Sequence, residues 1–147
     1  MKKMTTILVG IGLCFLVACE QQSASNQSGE STISQENANL TPLAVVNTRM
    51  DLYNQHDFPA FLKCYHKDVK IYTYPDKLLG TGSDRLASIF EADFEKKALQ
   101  VEIINQISNG SYVINHEIVT YAGKETKYVS IYEVKNGLIT NVRFVRD

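Results

Sequence analysis

The sequence predicts an α+β domain, a curved antiparallel sheet wrapped around three helices with a pocket at its open end. Three observations carry this. Between Thr41 and Phe94 apolar residues recur at helical spacing, as Leu43, Val46, Met50 and Tyr53 and again as Leu86, Ile89, Phe90 and Phe94. From Leu99 onward the period drops to two, over four segments. Helices followed by an antiparallel meander lay helices on one face of a sheet, which curves around them.

Each element has its own signal. Thr41-Pro42 opens the first helix, threonine as cap and proline at the first helical position. "NQHD" breaks it, and Asp57 caps a short second helix carrying Phe58, Phe61, Leu62 and Tyr65. "DVKIYTYPD" alternates as a strand until Pro75, which holds Tyr74 extended and ends the run. "GTGS" reads as a turn, after which Ser83 or Asp84 opens the third helix. The remaining strands are "LQVEIINQI", "YVINHEIVTY", "KYVSIYEV" and "LITNVRFV". The stretches between them, "SNG", "AGKE" and "KNG", suit hairpin turns.

Residues 1–40 have a different composition. Lys2 and Lys3 precede a short apolar core, Thr5 to Val17, the form of a secretory signal rather than a membrane span. "LVAC" ends that core with two small residues and Cys19, the pattern of a bacterial lipobox. Residues 1–18 are thus expected to be a lipoprotein signal peptide, with Cys19 the lipidated N-terminus. Residues 19–40, rich in Ser, Gln and Asn, would form a disordered tether reaching on the order of 25 Å. Residues 41–147 form the folded domain. The expected location is the bacterial cell envelope, outside the cytoplasm. Glu20 after the cysteine, rather than aspartate, favours the outer membrane where the organism has one.

Cysteine and charge narrow the function classes. With Cys14 removed and Cys19 lipidated, Cys64 has no intramolecular disulfide partner and reads as a buried small hydrophobe. Loss of Lys2 and Lys3 lowers the basic count from 15 to 13 against 16 acids, which gives no footing for nucleic acid. His56, Cys64 and His66 would diverge on their elements, and "HEIVT" lacks the second histidine of the zinc helix motif. No metal or cofactor is expected.

The stretches "YNQHDFPAFLKCYHKDVKIYTYPDKLLGTG", "VINHEIV" and "IYEVKNGLITNVRF" together resemble the SnoaL-like branch of the nuclear transport factor two-like superfamily, which includes ketosteroid isomerase. The resemblance spans Leu43 to Phe144 and implies a cone-shaped domain with an interior pocket and a homodimer formed through the sheet. Function does not follow from that fold, which serves enzymes and binding domains alike. The isomerase's carboxylate base would fall at Thr73 or Tyr74, its helical tyrosine near Arg49, and its oxyanion aspartic acid near Ser130 or Tyr132. None of the three is present. An arginine and an aspartate common in similar chains are replaced here by Gln106 and Asn115, an amide pair.

One acid remains of interest. In "SYVINHEIVTY", Asn115 and Glu117 share a strand face with Val113 and Val119, while His116 looks the other way. If that face lines the pocket, apolar walls desolvate Glu117 and suit it to general acid or base work. If it is the outer, dimer-forming face, Glu117 pairs with a lysine or arginine. Tyr128, Ser130 and Tyr132 share one face, the pocket face by resemblance, and Tyr74 stands at the mouth. The expected ligand set is Tyr74, Asn115, Glu117, Tyr128, Ser130 and Tyr132. It would bind a small, mostly apolar molecule, or the sheet would take a protein partner. An enzyme using Glu117 as the catalytic group is the alternative.

Overall fold

The computed structural model describes residues 40–146. The expected signal peptide, the expected lipidation site Cys19 and most of the expected tether lie outside the described residues. The element order is α1 (Pro42–Gln55), α2 (Phe58–Lys63), β1 (Tyr65–Thr73), β2 (Lys77–Thr81), α3 (Ser83–Glu95), β3 (Leu99–Asn109), β4 (Tyr112–Tyr121), β5 (Lys124–Lys135) and β6 (Leu138–Val145). The six strands form one curved, unclosed sheet in the order β2-β1-β6-β5-β4-β3. The α+β class holds.

The first two helices begin at their sequence signals. Thr41 Oγ1 accepts from the Ala44 amide at 3.2 Å, and Asp57 Oδ1 accepts from the Ala60 amide at 3.1 Å. His56 ends α1 in the left-handed region (φ 58°), with Nε2 2.9 Å from the Leu99 carbonyl oxygen. α3 opens at Ser83, as expected, with no side-chain cap hydrogen bond at the preceding cap residue, Gly82 (φ 95°). The Gly82 amide donates to the Val69 carbonyl at 2.8 Å, so a sheet contact sets where the helix starts.

Three expectations are corrected. Tyr65 opens β1 instead of extending α2, because the Cys64 carbonyl accepts from the Ile139 amide at 2.9 Å and draws the chain into the sheet. A strand absent from the sequence reading, β2, pairs antiparallel with β1; its mostly exposed "KLLGT" has no alternation to announce it. The sheet is not wholly antiparallel either, since β1 runs parallel to β6. That pairing joins elements from opposite ends of the chain and has no local signature.

From β3 to β6 the meander is as expected. Asn136 (φ 52°) and Gly137 (φ 73°) both have positive φ, as a two-residue turn matching strand twist requires. In β3 the register slips between Ile103 and Asn105. Ile103 pairs with Glu117 before the slip and Gln106 pairs with Asn115 after it, so the bulge turns Gln106 to the same side as Leu99 and Val101.

The core lies between the sheet's inner face and the helices. α1 packs on β3, β4, β5 and β6, while α3 covers β1 and β2. Fully buried Phe61 is its hub, with ring centroids 4.8 Å from Phe94, 5.3 Å from Tyr65 and 5.4 Å from Phe90.

Candidate functional site

The inner face of the sheet and the helices enclose a cavity of about 690 Å³. Ile71, Leu79 and Phe144 form one side, Val101 and Val119 the other, and Ile89 and Phe90 of α3 close over them. Tyr53, Tyr121 and Tyr128 add aromatic surface. Two charged groups deep in this wall, Arg49 and Glu117, are each only 3% exposed.

Arg49 comes from the buried stripe of α1, between Val46 and Tyr53. Its Nε donates to the Tyr65 hydroxyl at 2.8 Å and Nη1 contacts the Met50 sulfur at 3.0 Å. The guanidinium carbon lies 4.9 Å from the ring centroids of both Tyr53 and Phe61 and 5.6 Å from that of Tyr132. Burial opposes its charge. The surrounding Tyr132, Tyr65 and Glu117, with the Tyr65 hydrogen bond, outweigh that and hold the group firmly protonated. Burial also raises Tyr65 and pushes Tyr132 well above the ordinary phenol range, with Arg49 opposing in both cases. The tyrosines are therefore neutral near pH 7, and Glu117 is the only carboxylate among the groups that favour the guanidinium.

Glu117 is held by its neighbours on β4 and β5. Ser130 Oγ donates to Oε1 at 2.6 Å, and Asn115 Nδ2 lies 3.4 Å from Oε2. Gln106 Nε2 in turn donates to Asn115 Oδ1 and to Asn47 Oδ1, both at 2.9 Å. A polar chain thus runs from exposed Asn47 on α1, through the amide pair, to the carboxylate in the cavity wall. The β3 bulge makes this chain possible. The Tyr132 hydroxyl is the one buried side-chain polar atom without a hydrogen-bond partner among the described residues.

The site residues named from sequence separate into three groups. Glu117 and Tyr128 line the cavity. Asn115, Ser130 and Tyr132 are fully buried on the same side of the sheet, behind the wall rather than in it. Tyr74 is 59% exposed and not among the residues lining the cavity, its amide donating to the Phe144 carbonyl at 2.9 Å. His116 is exposed on the opposite face, beside Asn105 and Val129. Thr73 lines the cavity where a carboxylate base would be expected, with its hydroxyl turned to the Phe144 carbonyl at 3.3 Å.

Arg49 was missed as a site residue. Its signal was a cation on the buried stripe of α1, three residues after Val46 and four before Tyr53. Arg146, directly after β6, also borders the cavity. Buried Cys64 is no nucleophile: desolvation, opposed by Arg49, pushes its thiol up to about 11. Among the described residues no group of three or more His, Cys, Asp or Glu side chains could hold a metal ion.

A family model described as "SnoaL-like domain" matches residues 46–142, which contain most of α1, all of α2 and α3, the bulge and the Arg49–Glu117 centre. The chain belongs to the SnoaL-like domain family. Solved structures similar to this SnoaL-like chain include an NTF2-like protein of unknown function from Cytophaga hutchinsonii, with TM-score 0.64 and 19% identity over 74% of this chain and 91% of that one. Another is an NTF-2 like protein of unknown function from Burkholderia xenovorans, with TM-score 0.61 and 19% identity, covering 77% and 87% of the two chains. A computationally designed 17-OHP binder aligns with TM-score 0.64 and 17% identity, over 73% and 92%. At these identities the likeness is one of fold. A search of the curated proteins gave no match.

Proposed function

We propose that the SnoaL-like domain is a binding module for a small, mostly apolar molecule, carried outside the cytoplasm on a lipid-anchored chain. The observation that carries this reading is the cavity itself. Its volume lies within the usual range for ligand sites, and eleven of its twenty lining residues are aliphatic or aromatic, the rest being seven charged side chains and two threonines. The designed 17-OHP binder supports it by analogy, since that protein has a similar fold. The anchor rests on "LVAC" and the polar stretch after it. The neutral dye N-phenyl-1-naphthylamine tests the pocket. Saturable fluorescence that disappears when Val119→Trp fills the cavity is expected, and binding unchanged by that variant would refute the reading.

Two further readings have their own support. Glu117 faces the cavity as a buried carboxylate beside a guanidinium, which favours proton transfer by an isomerase, dehydratase or hydrolase as the alternative. The outer face of the sheet exposes Ile104 and Ile107 at 47% and 59%, with Tyr112 nearby, which favours a homodimer through the sheet.

A further inference from the structure

The charges around the cavity are not a sample of the chain. The whole sequence has 15 basic and 16 acidic residues. The cavity wall has five basic residues, Arg49, Lys77, Arg85, Lys124 and Arg146, against two acidic ones, Asp93 and Glu117. The wall is therefore net positive in a chain that is net negative.

The two depths differ. Deep in the wall Arg49 and Glu117 offset each other, and an incoming acid there would meet the Glu117 carboxylate. Lys77, Arg85, Lys124 and Arg146 are all exposed, with only half-buried Asp93 against them. They come from β2, α3, the start of β5 and the residue directly after β6, so several segments contribute to the charge of the mouth. Among the described residues none of the four has a carboxylate partner within 4.0 Å. Arg85 is placed by Gly80: a Cβ there would overlap Arg85 Cγ, and Nε donates to the Leu79 carbonyl at 3.3 Å. Cations gathered at a low-dielectric cleft attract and orient an anion at its entrance.

We infer that the cavity takes an amphipathic anion, with its apolar body inside and its single acidic group at the mouth, in the positive field of Lys77, Arg85, Lys124 and Arg146. This deepens the binding reading and rests on it. The head is a carboxylate, sulfonate or phosphate, and the body is a chain or fused-ring hydrocarbon whose far end meets Arg49 and Glu117.

A matched dye pair tests the inference on the full chain. 1-Anilinonaphthalene-8-sulfonate has the body of N-phenyl-1-naphthylamine plus one sulfonate. At low salt the sulfonate should bind tighter by about tenfold, the sum of several partly exposed charge contacts. That margin, read as the ratio of the two dyes' affinities, should shrink at high salt and vanish in the Lys77→Glu, Arg146→Glu double variant. Dodecanoate should displace either dye better than dodecanol. Equal affinity for the two dyes, a margin that survives charge reversal, or sulfonate binding that survives Val119→Trp would overturn the inference and leave the pocket reading intact. Failure of both dyes to bind would remove the pocket reading and this inference with it.

Discussion

Arg49 and Glu117 are expected to stabilise the domain as a coupled pair although they do not touch. The perturbation is a double-mutant cycle of Arg49→Met, Glu117→Gln and both together. Among the described residues Arg49 has no carboxylate within 4.0 Å, so the pair term lies below about 4 kcal/mol at an effective dielectric of about 20. Glu117→Gln leaves a buried guanidinium held by one hydroxyl, one sulfur and three rings, and should cost about 2 kcal/mol. Arg49→Met removes the ring contacts, strands the Tyr65 hydroxyl and leaves Glu117 without its counter-charge, for a cost of about 2–4 kcal/mol. The double variant has neither buried charge, so its loss should fall short of the sum by about 1–3 kcal/mol. Urea unfolding followed by far-UV circular dichroism reads all four corners of the cycle. Strict additivity, with coupling under about 0.5 kcal/mol, would mean that the two charges are solvated separately and that the site is not one electrostatic unit.

Other outcomes follow from the packing. Phe61→Ala empties the hub of the aromatic core and should cost about 3–5 kcal/mol in the same unfolding assay. With Cys14 and Cys19 replaced by alanine, Cys64 should react with a disulfide reagent at pH 8 far more slowly in the folded chain than in urea. Its thiol is raised from 9.0 to about 11 by burial, so the folded state keeps a proton that the unfolded state releases. That contribution to stability is complete below pH 9 and lost as the pH rises through 11, and a urea midpoint measured across this window should fall accordingly. Ile107→Lys, placing a charge on the exposed outer face, should convert a dimer to a monomer in light scattering without changing dye binding.

The sequence by itself determined what depends on near neighbours along the chain. Helical spacing before Phe94, alternation after Leu99, and Thr41, Asp57 and Asn136-Gly137 as caps and turn all act within a few residues, so the α+β order was legible. The shared face of Asn115 and Glu117 was legible too, because strand geometry dictates it. Which way that face pointed was decided by α1, whose packing covers β3 to β6. The adjacent pair Ile103-Ile104 broke the alternation visibly, but only the partner strand shows that this bulge carries Gln106 inward to meet Asn115. Tyr65 left its helix, β2 formed and β1 ran parallel to β6 because hydrogen-bonding partners far along the chain overrode weak local preference. Arg49 is the sharpest case. A cation on a helix ordinarily faces water, and only rings from α1, α2 and β5 with the Tyr65 hydroxyl make its burial tolerable. Local pattern therefore specified the elements, and long-range satisfaction of polar groups decided which of them became the site.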